Sequence, residues 1–429
     1  MKVSLTTLGC KVNQFETSAI EGMLTSRGHE ICPSGEKVDA VIINTCAVTA
    51  ESGRKSRQAV RKAKRENPNA IVAVCGCFSQ ISPQQVSELG ADMVYGSGQR
   101  TEFTRALEQV AAAREKDVNI DNPMKRREFE CLTASSNSGR TRAYLKIQDG
   151  CDNFCAYCVI PYARGPVRSM PADVAVCEAR KLSQKGYREL VITGIEIASY
   201  GKDLKDGGSL LSLTRQIAQA VPDIRLRLGS IEPRLITEEF CIAMAEVPRL
   251  CRHFHMSLQS GADATLKRMG RRYDTDRFYT STELLRKYFP GCAITADLIV
   301  GFPGEGEDEF TQTMEFIKKC RFADMHVFPY SIRPGTKAAE MEGQIDKKLK
   351  AIRAKIAGAA AAEMRSDYLR SCIGCELEVL FEHEGDKPTG HADNYCLVTA
   401  DGADRGELAK VLINGVSDEM LSGSKISSV

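Results

Sequence analysis

The chain has 429 residues, too many for one compact core, so two or three domains are expected. Hydrophobic residues make up 43% and charged residues 27%, as in a soluble globular protein, and the net charge of +2 says little until it is split by region. No stretch approaches the ~18 uninterrupted apolar residues of a membrane span, and the opening MKVSLTTLGCKVNQ has no charged leader followed by an apolar run, so neither membrane nor signal peptide is expected and a cytoplasmic location is the default.

Residues 1–116 alternate short apolar runs with helical patterns. KVSLTTL, VDAVIIN, AIVAVC and ADMVYG read as strands, and helices are expected over Phe15–Arg27, Thr49–Glu66 and Arg100–Glu115. This alternation predicts a parallel α/β sheet covered by helices. Residues 117–140 are polar and charged and read as a linker with one short strand at most. Over 141–370 six further strand–helix units follow, on YLKIQ, ELVITGI, IRLRLGSI, HFHMSL, AITADLIVG and DMHVFPY. Six successive units predict a partial (β/α)6 barrel, with its chemistry at the carboxyl ends of the strands. Residues 371–429 change texture, with ELEVLFEHEG, HADNYCLVTAD and ELAKVLING as short strands between Gly, Pro and Asp; a small antiparallel β-barrel is expected there.

Seventeen cysteines, an odd number in a chain without an export signal, do not read as a disulfide framework. A reducing compartment keeps such thiols free for metal. QDGCDNFCAYCVIP places Cys151, Cys155 and Cys158 on the loop after the first barrel strand. Structural zinc and ordinary iron–sulfur clusters take four protein ligands. A cubane held by three thiolates keeps one iron open for a small molecule; the bland alternative is a zinc knuckle or a chance cluster. A second trio is spread over sixty-eight residues: Cys10, Cys46 and Cys77 each follow a predicted parallel strand, on the edge where open α/β sheets bind ligands. Cys75 competes with Cys77 but lies inside the strand run, where it reads as a small buried apolar residue. Cys372 and Cys375 form a CxxC without a second pair, a poor zinc site.

The spacing CxxxCxxC at this position resembles the radical S-adenosylmethionine (radical SAM) superfamily. That resemblance implies that S-adenosylmethionine fills the open iron site and is cleaved to a 5′-deoxyadenosyl radical. It also makes DLIVGFPGE, with Ile299 and Gly301, the segment that contacts the adenine and backbone of S-adenosylmethionine, and offers Glu196, Ser230 and Glu232 past the second and third strands as further cofactor contacts. Glu196 and Glu232 equally fit solvated or hydrogen-bonded loop carboxylates. TLGCKVNQFET, NTCAVT, CGCFSQ, HFHMSLQSGADATLKRMGRRY and FPYSIRPGTKAAEM carry a closer resemblance, to the methylthiotransferase family, over essentially the whole chain; PTGHADNYCLV resembles the RNA-binding TRAM domain. The resemblance implies two 4Fe–4S clusters, S-adenosylmethionine as methyl donor and as radical source, an electron donor such as flavodoxin or ferredoxin, and a sulfur source. GCKVNQFE resembles the branch acting on N6-threonylcarbamoyladenosine beside the tRNA anticodon more than the branches acting on isopentenyladenosine or on a ribosomal-protein aspartate. A non-catalytic iron–sulfur RNA-binding protein is the rival of another class.

GRKSRQAVRKAKR sets Arg54, Arg57, Arg61 and Arg65 on one face of a helix that begins near Cys46, fit to hold phosphates of an anticodon arm or to stand as a solvated face. The last domain is acidic instead. From Ser371 onward four Lys and Arg stand against eleven Asp and Glu, a net of −7, leaving +9 for the rest. An acidic barrel is a poor nonspecific phosphate binder. It either reads RNA by shape, by stacking on Tyr395 or by a local basic edge, or it faces away from the RNA. His253 and His255 share one sheet face and point into the barrel or serve as structural histidines.

Overall fold

The computed structural model describes residues 1–135, 141–205, 207–385 and 387–429. Its first unit is a parallel sheet of β1 (Lys2–Thr7), β2 (Glu30–Ile31), β3 (Ala40–Thr45), β4 (Ile71–Gly76), β5 (Met93–Tyr95) and β6 (Asp117–Asn119), in the order β2-β1-β3-β4-β5-β6. β3 and β4 are buried along their whole length, which their unbroken apolar runs require in a sheet covered on both faces. α1 (Lys11–Ser26) and α5 (Arg100–Ala113) cover one face over Val3, Ile42, Ala73 and Phe103. α2 (Ala50–Glu66), α3 (Cys77–Ile81) and α4 (Pro83–Glu88) cover the other over Ile43, Val60, Val72, Val74 and Phe78.

The stretch expected to be a polar linker is packed along most of its described length. It begins with the edge strand β6, Arg126 pairs with Asp121, and Leu132 and Ala134 enter the core of the next unit. Residues 136–140 lie outside the described residues.

The second unit runs β7 (Arg142–Lys146), a two-stranded clasp of β8 (Gln148–Asp149) and β9 (Arg168–Ser169), then β10 (Glu189–Thr193), β11 (Arg225–Leu228), β12 (His253–Gln259), β13 (Ala293–Val300) and β14 (Asp324–Pro329). α6 (Ile160–Arg164) lies between the two strands of the clasp. Sheets β11-β10-β7 and β12-β13-β14 are all parallel and meet through the parallel bridges Leu226–Leu250 and Ile231–Met256, so the six long strands form one open barrel. On β12 and β13 the buried Phe254, Met256, Leu258, Ala296, Leu298 and Val300 pack under helices. The alternate residues His255, Ser257, Gln259, Thr295, Asp297 and Ile299 are half-buried and line the interior. Among the described residues no helix is long and apolar enough to cross a membrane.

The last unit is a closed barrel, β15 (Glu376–His383), β16 (Thr389–Ala392), β17 (Leu397–Asp401), β18 (Leu408–Ser417) and β19 (Met420–Ser428), in the order β15-β16-β17-β19-β18. Its pairings are antiparallel except β17 with β19, which is parallel. HADNYCLVTAD, read as one strand, breaks at Asn394–Tyr395, where Tyr395 has φ +70°. β19, MLSGSKISS, escapes the sequence reading because it is rich in serine and shows little apolar alternation.

The acidity of this unit has a structural use: it docks on arginines of the open barrel. Arg142 pairs with Glu382 at 2.7 Å and Arg252 with Asp393 at 2.6 Å. Arg225 and Arg227, fully buried, share Glu189 and also donate to the carbonyls of Glu378, His391, Ala392 and Asp393. Tyr395 is stacked on His253 and on His391, each 4.8 Å away, with Arg227 4.9 Å from its ring, so its π-surface is engaged within the protein rather than open to a nucleobase.

Candidate active site

Cys151, Cys155 and Cys158 lie on the loop between β8 and α6. Cys158 N–H donates to the Cys155 carbonyl at 2.9 Å, which curls the loop. Cys155 Sγ accepts from an Arg271 guanidinium nitrogen at 3.1 Å, and Cys158 Sγ from the Ile160 N–H at 3.4 Å. Burial pushes the Cys151 and Cys158 thiols up to about 12. Thiolates here therefore need compensating positive charge, which a metal centre supplies.

The second trio converges across the carboxyl edge of the N-terminal sheet. Cys10 caps α1, Cys46 follows β3 and Cys77 opens α3. The chain before Cys10 lies against Cys46: Gly9 has φ +105°, and a Cβ there would fall 2.8 Å from Cys46 Sγ. Cys10 and Cys46 are electrostatic neighbours of Cys77, whose burial pushes it up to about 12 against the pull of Arg164. Cys75 turns to the other face of the sheet, among Val3, Ile20 and Phe103. One tetrahedral ion holds its sulfurs about 3.8 Å apart. Among the described residues neither trio is that tight; the three-residue group of possible ligands within 4.8 Å is His255, Asp297 and His326.

The residues offered for S-adenosylmethionine stand at the carboxyl ends of β10, β11 and β13. Glu196 accepts from Ala198 N–H at 3.1 Å and from Ser199 Oγ, and burial, with Glu232 nearby, raises its pKa. Glu232 is buried and held by Arg234 at 2.8 and 2.9 Å, while Ser230 is exposed. Ile299 lines the interior. Gly301 has φ +72°, and its N–H donates to Glu305 at 2.8 Å. The close neighbour that demands a glycine there is Lys350, whose Cγ would meet a Cβ at 2.4 Å.

Arg54, Arg57, Arg61 and Arg65 all lie on α2, four residues beyond Cys46 at its start. Arg54 is paired with Glu51 and Arg65 lies 3.6 Å from Glu66, so acids flank the basic run at both ends. Arg57 lies 5.7 Å from the centre of the Phe78 ring, and Arg61 is exposed without a partner among the described residues.

Sequence reasoning missed the group that joins the two units carrying the trios. Arg164, on α6 just past the radical-type loop, is fully buried. Its Nε donates to Cys77 Sγ at 3.3 Å, one Nη to Glu16 at 2.7 Å and to Asp149 at 3.1 Å, and the other to Asn13 at 2.9 Å. Glu16 also takes Arg100 at 3.0 Å and Lys146 at 2.9 Å, and Lys146 reaches Asp149 at 2.7 Å. The cations hold both carboxyls below the usual carboxylate range despite burial. Arg271 was missed for the same reason: its partner lies 116 residues away in sequence.

Comparison with known proteins agrees with this architecture. Residues 145–317 match the Radical SAM superfamily and residues 2–96 match an uncharacterized protein family, UPF0004. The site is thus that of a radical SAM enzyme. The chain is 38% identical over 420 residues to the threonylcarbamoyladenosine tRNA methylthiotransferase MtaB of Bacillus subtilis (strain 168), covering 96% of this chain and 93% of that one. It is 35% identical to the protein of the same name from Aquifex aeolicus (strain VF5), covering 96% and 100%. It is 33% identical to the tRNA-2-methylthio-N(6)-dimethylallyladenosine synthase of Syntrophotalea carbinolica, covering 88% and 87%. The radical S-adenosylmethionine methyltransferase TsrM from Kitasatospora setae shares the fold, with TM-score 0.57 and 16% identity over 79% of this chain and 77% of that one. The chain belongs to the radical SAM methylthiotransferase family. Its cofactors are accordingly an iron–sulfur cluster and S-adenosylmethionine.

Replacing Arg164 with Ala leaves Glu16 and Asp149 short of positive charge in a dry interface. The variant should lose about 3–5 kcal/mol of stability, read as a lower denaturant midpoint. An unchanged midpoint would show that the network contributes nothing to stability.

Proposed function

We propose that this enzyme inserts a methylthio group at C2 of N6-threonylcarbamoyladenosine beside the anticodon of tRNA. The observation that carries the substrate is similarity: five relatives named as threonylcarbamoyladenosine tRNA methylthiotransferases are 33–38% identical over 91–97% of this chain. Two 4Fe–4S clusters sit on the two trios, Cys151, Cys155 and Cys158 and Cys10, Cys46 and Cys77. When bound, the clusters and S-adenosylmethionine supply the radical that removes hydrogen from the base, the sulfur, and the methyl group. A reductant such as flavodoxin or ferredoxin and a sulfur source are required partners.

The chain's own residues hold and orient. Arg271 and Arg164 donate hydrogen bonds to one sulfur of each trio and offset its negative charge. Glu196, Ser230, Glu232, Ile299 and Gly301 line the mouth of the open barrel where S-adenosylmethionine lies. Arg54, Arg57, Arg61 and Arg65 meet phosphates of the anticodon arm, and Arg333, an electrostatic neighbour of Cys46 and Arg57, extends that basic approach toward the site.

Anaerobically reconstituted protein should hold about eight irons, from two cubanes. Replacing Cys151, Cys155 and Cys158 with Ala should leave about half the iron and abolish cleavage of S-adenosylmethionine. Cys77→Ala should lose iron yet still yield 5′-deoxyadenosine, and Cys75→Ala should keep both clusters. Full iron in the triple variant rejects the assignment.

Mass spectrometry of nucleosides decides the substrate. Given reductant, sulfide and S-adenosylmethionine, the enzyme should convert threonylcarbamoyladenosine in tRNA to its 2-methylthio form and leave isopentenyladenosine unchanged. The reverse outcome assigns it to the other tRNA branch.

Replacing Arg57, Arg61 and Arg65 with Gln keeps helix propensity roughly unchanged. The slope of log affinity for tRNA against log salt should fall by roughly 2–3 units. The parent's slope and affinity in that variant would leave α2 a solvated face.

A further inference from the structure

The interior wall of the open barrel carries charged groups that neither cofactor uses. Asp297 lies two residues before Ile299 on the same face of β13. His255 Nε2 stands 3.2 Å from one of its oxygens, and His326 Nδ1, on β14, 3.1 Å from the other. Both oxygens are thus engaged, and the carboxyl is held below its usual range, its burial outweighed by the two imidazoles. His326 remains 63% exposed, so the edge of its ring away from Asp297 is open to a ligand. Asp297 raises its pKa and favours the form with N–H on both nitrogens. Phe328, two residues on along β14, is also exposed and adds an apolar surface 6.3 Å from the His326 ring.

The second group comes from the other unit. Lys11 is the first residue of α1, next to Cys10, and is half-buried. Among the described residues it makes no hydrogen bond or ion pair. It adjoins the barrel interior: Tyr395 and Glu189 favour its charge, Arg227 and Arg142 oppose it, and it acts in turn on His253 and His326. A half-buried ammonium with unused N–H groups is better solvated when an anion arrives. The trio His255–Asp297–His326 has the donor set of a divalent-cation site. Arg142 and Arg227 are already paired with Glu382 and Glu189, so the donors left for a ligand beside it are Lys11 and the outer edge of His326, which suit an anion.

We propose that Lys11 and His326 form an anion seat that receives the carboxylate of the threonylcarbamoyl group and so selects the substrate. The inference rests on the substrate reading above. The reacting base has to lie between the two trios, and Lys11 adjoins one of them. Its side chain at N6 then runs along the barrel wall toward His326. Threonylcarbamoyladenosine carries a carboxylate there; the dimethylallyl group named for the related synthase is an uncharged hydrocarbon. Charge at this seat separates the two chemically.

The test uses reconstituted full-length enzyme and three synthetic anticodon stem-loops. One carries threonylcarbamoyladenosine, one the same nucleoside with its carboxylate as the methyl ester, and one plain adenosine. The parent should bind the free carboxylate roughly tenfold or more tighter than the ester, the scale of a hydrogen-bonded ion pair. Lys11→Met and His326→Phe should each bring that ratio close to one. Iron content is measured on both variants. If Lys11→Met loses iron through its neighbour Cys10, His326→Phe, on β14 and away from every ligand cysteine, decides. A parent indifferent to the ester, or variants that keep its preference, overturns the anion seat. A parent that neither prefers nor methylthiolates the threonylcarbamoyl stem-loop over plain adenosine overturns the substrate reading instead.

Discussion

One buried guanidinium sets the relation between the two halves of the active site. Arg164 has no solvent around it, so each of its N–H groups must find an acceptor inside the protein. It finds them on Glu16 and Asn13 of the first unit, on Asp149 of the second, and on the sulfur of Cys77. Two parallel sheets built from distant stretches of chain are thereby locked edge to edge. Each presents cysteines at the carboxyl ends of its strands. Ion networks of this kind add little net stability compared with apolar packing, but they tolerate few alternative geometries. On the reading proposed above, substrate lies between two centres, and a fixed separation then matters more than stability.

A second electrostatic interface fixes the C-terminal barrel. Its Glu382, Glu378 and Asp393 pair with Arg142, Arg249 and Arg252 of the open barrel, and Arg225 and Arg227 donate to its backbone carbonyls. Regional charge counts treat a domain as an isolated body and so miss such pairs. A surplus of −7 reads as hostile to RNA, yet three of the acids behind it, Glu378, Glu382 and Asp393, are taken up by arginines at the contact. Tyr395 follows the same logic: an aromatic residue in a loop of an RNA-type barrel reads as a stacking platform, but its partners are His253 and His391.

Much of the fold was legible because its signals are local. Apolar runs such as AVIINT and IVAVCG are buried on both faces, and the helices between them fall close to the expected spans. That Cys10, Cys46, Cys77 and Cys151 stand just past strand ends was legible because strand ends are local signals; their role as ligands belongs to the proposal. What failed to show were features decided by partners far along the chain. β2 and β6 are short edge pieces with no apolar alternation, and the supposed linker is held by Leu132 and Ala134, which carry no periodic pattern. Arg164 stands just past the three-cysteine loop and Arg271 inside HFHMSLQSGADATLKRMGRRY, but nothing in one sequence tells which thiol an arginine will meet.

The Glu16 network also bears on how the protein is made. Glu16 and Arg100 belong to the first sheet and pair within it, but Lys146 and Arg164 are synthesised later. A chain emerging amino end first completes the N-terminal sheet while its buried carboxylate still lacks two of its three cations. Cys77 likewise waits for its hydrogen-bond donor. The cysteine edge of that sheet therefore reaches its final electrostatic state only after the radical-type loop has been synthesised and docked, so the cluster proposed for the first unit would be acquired late in biogenesis rather than by that unit alone.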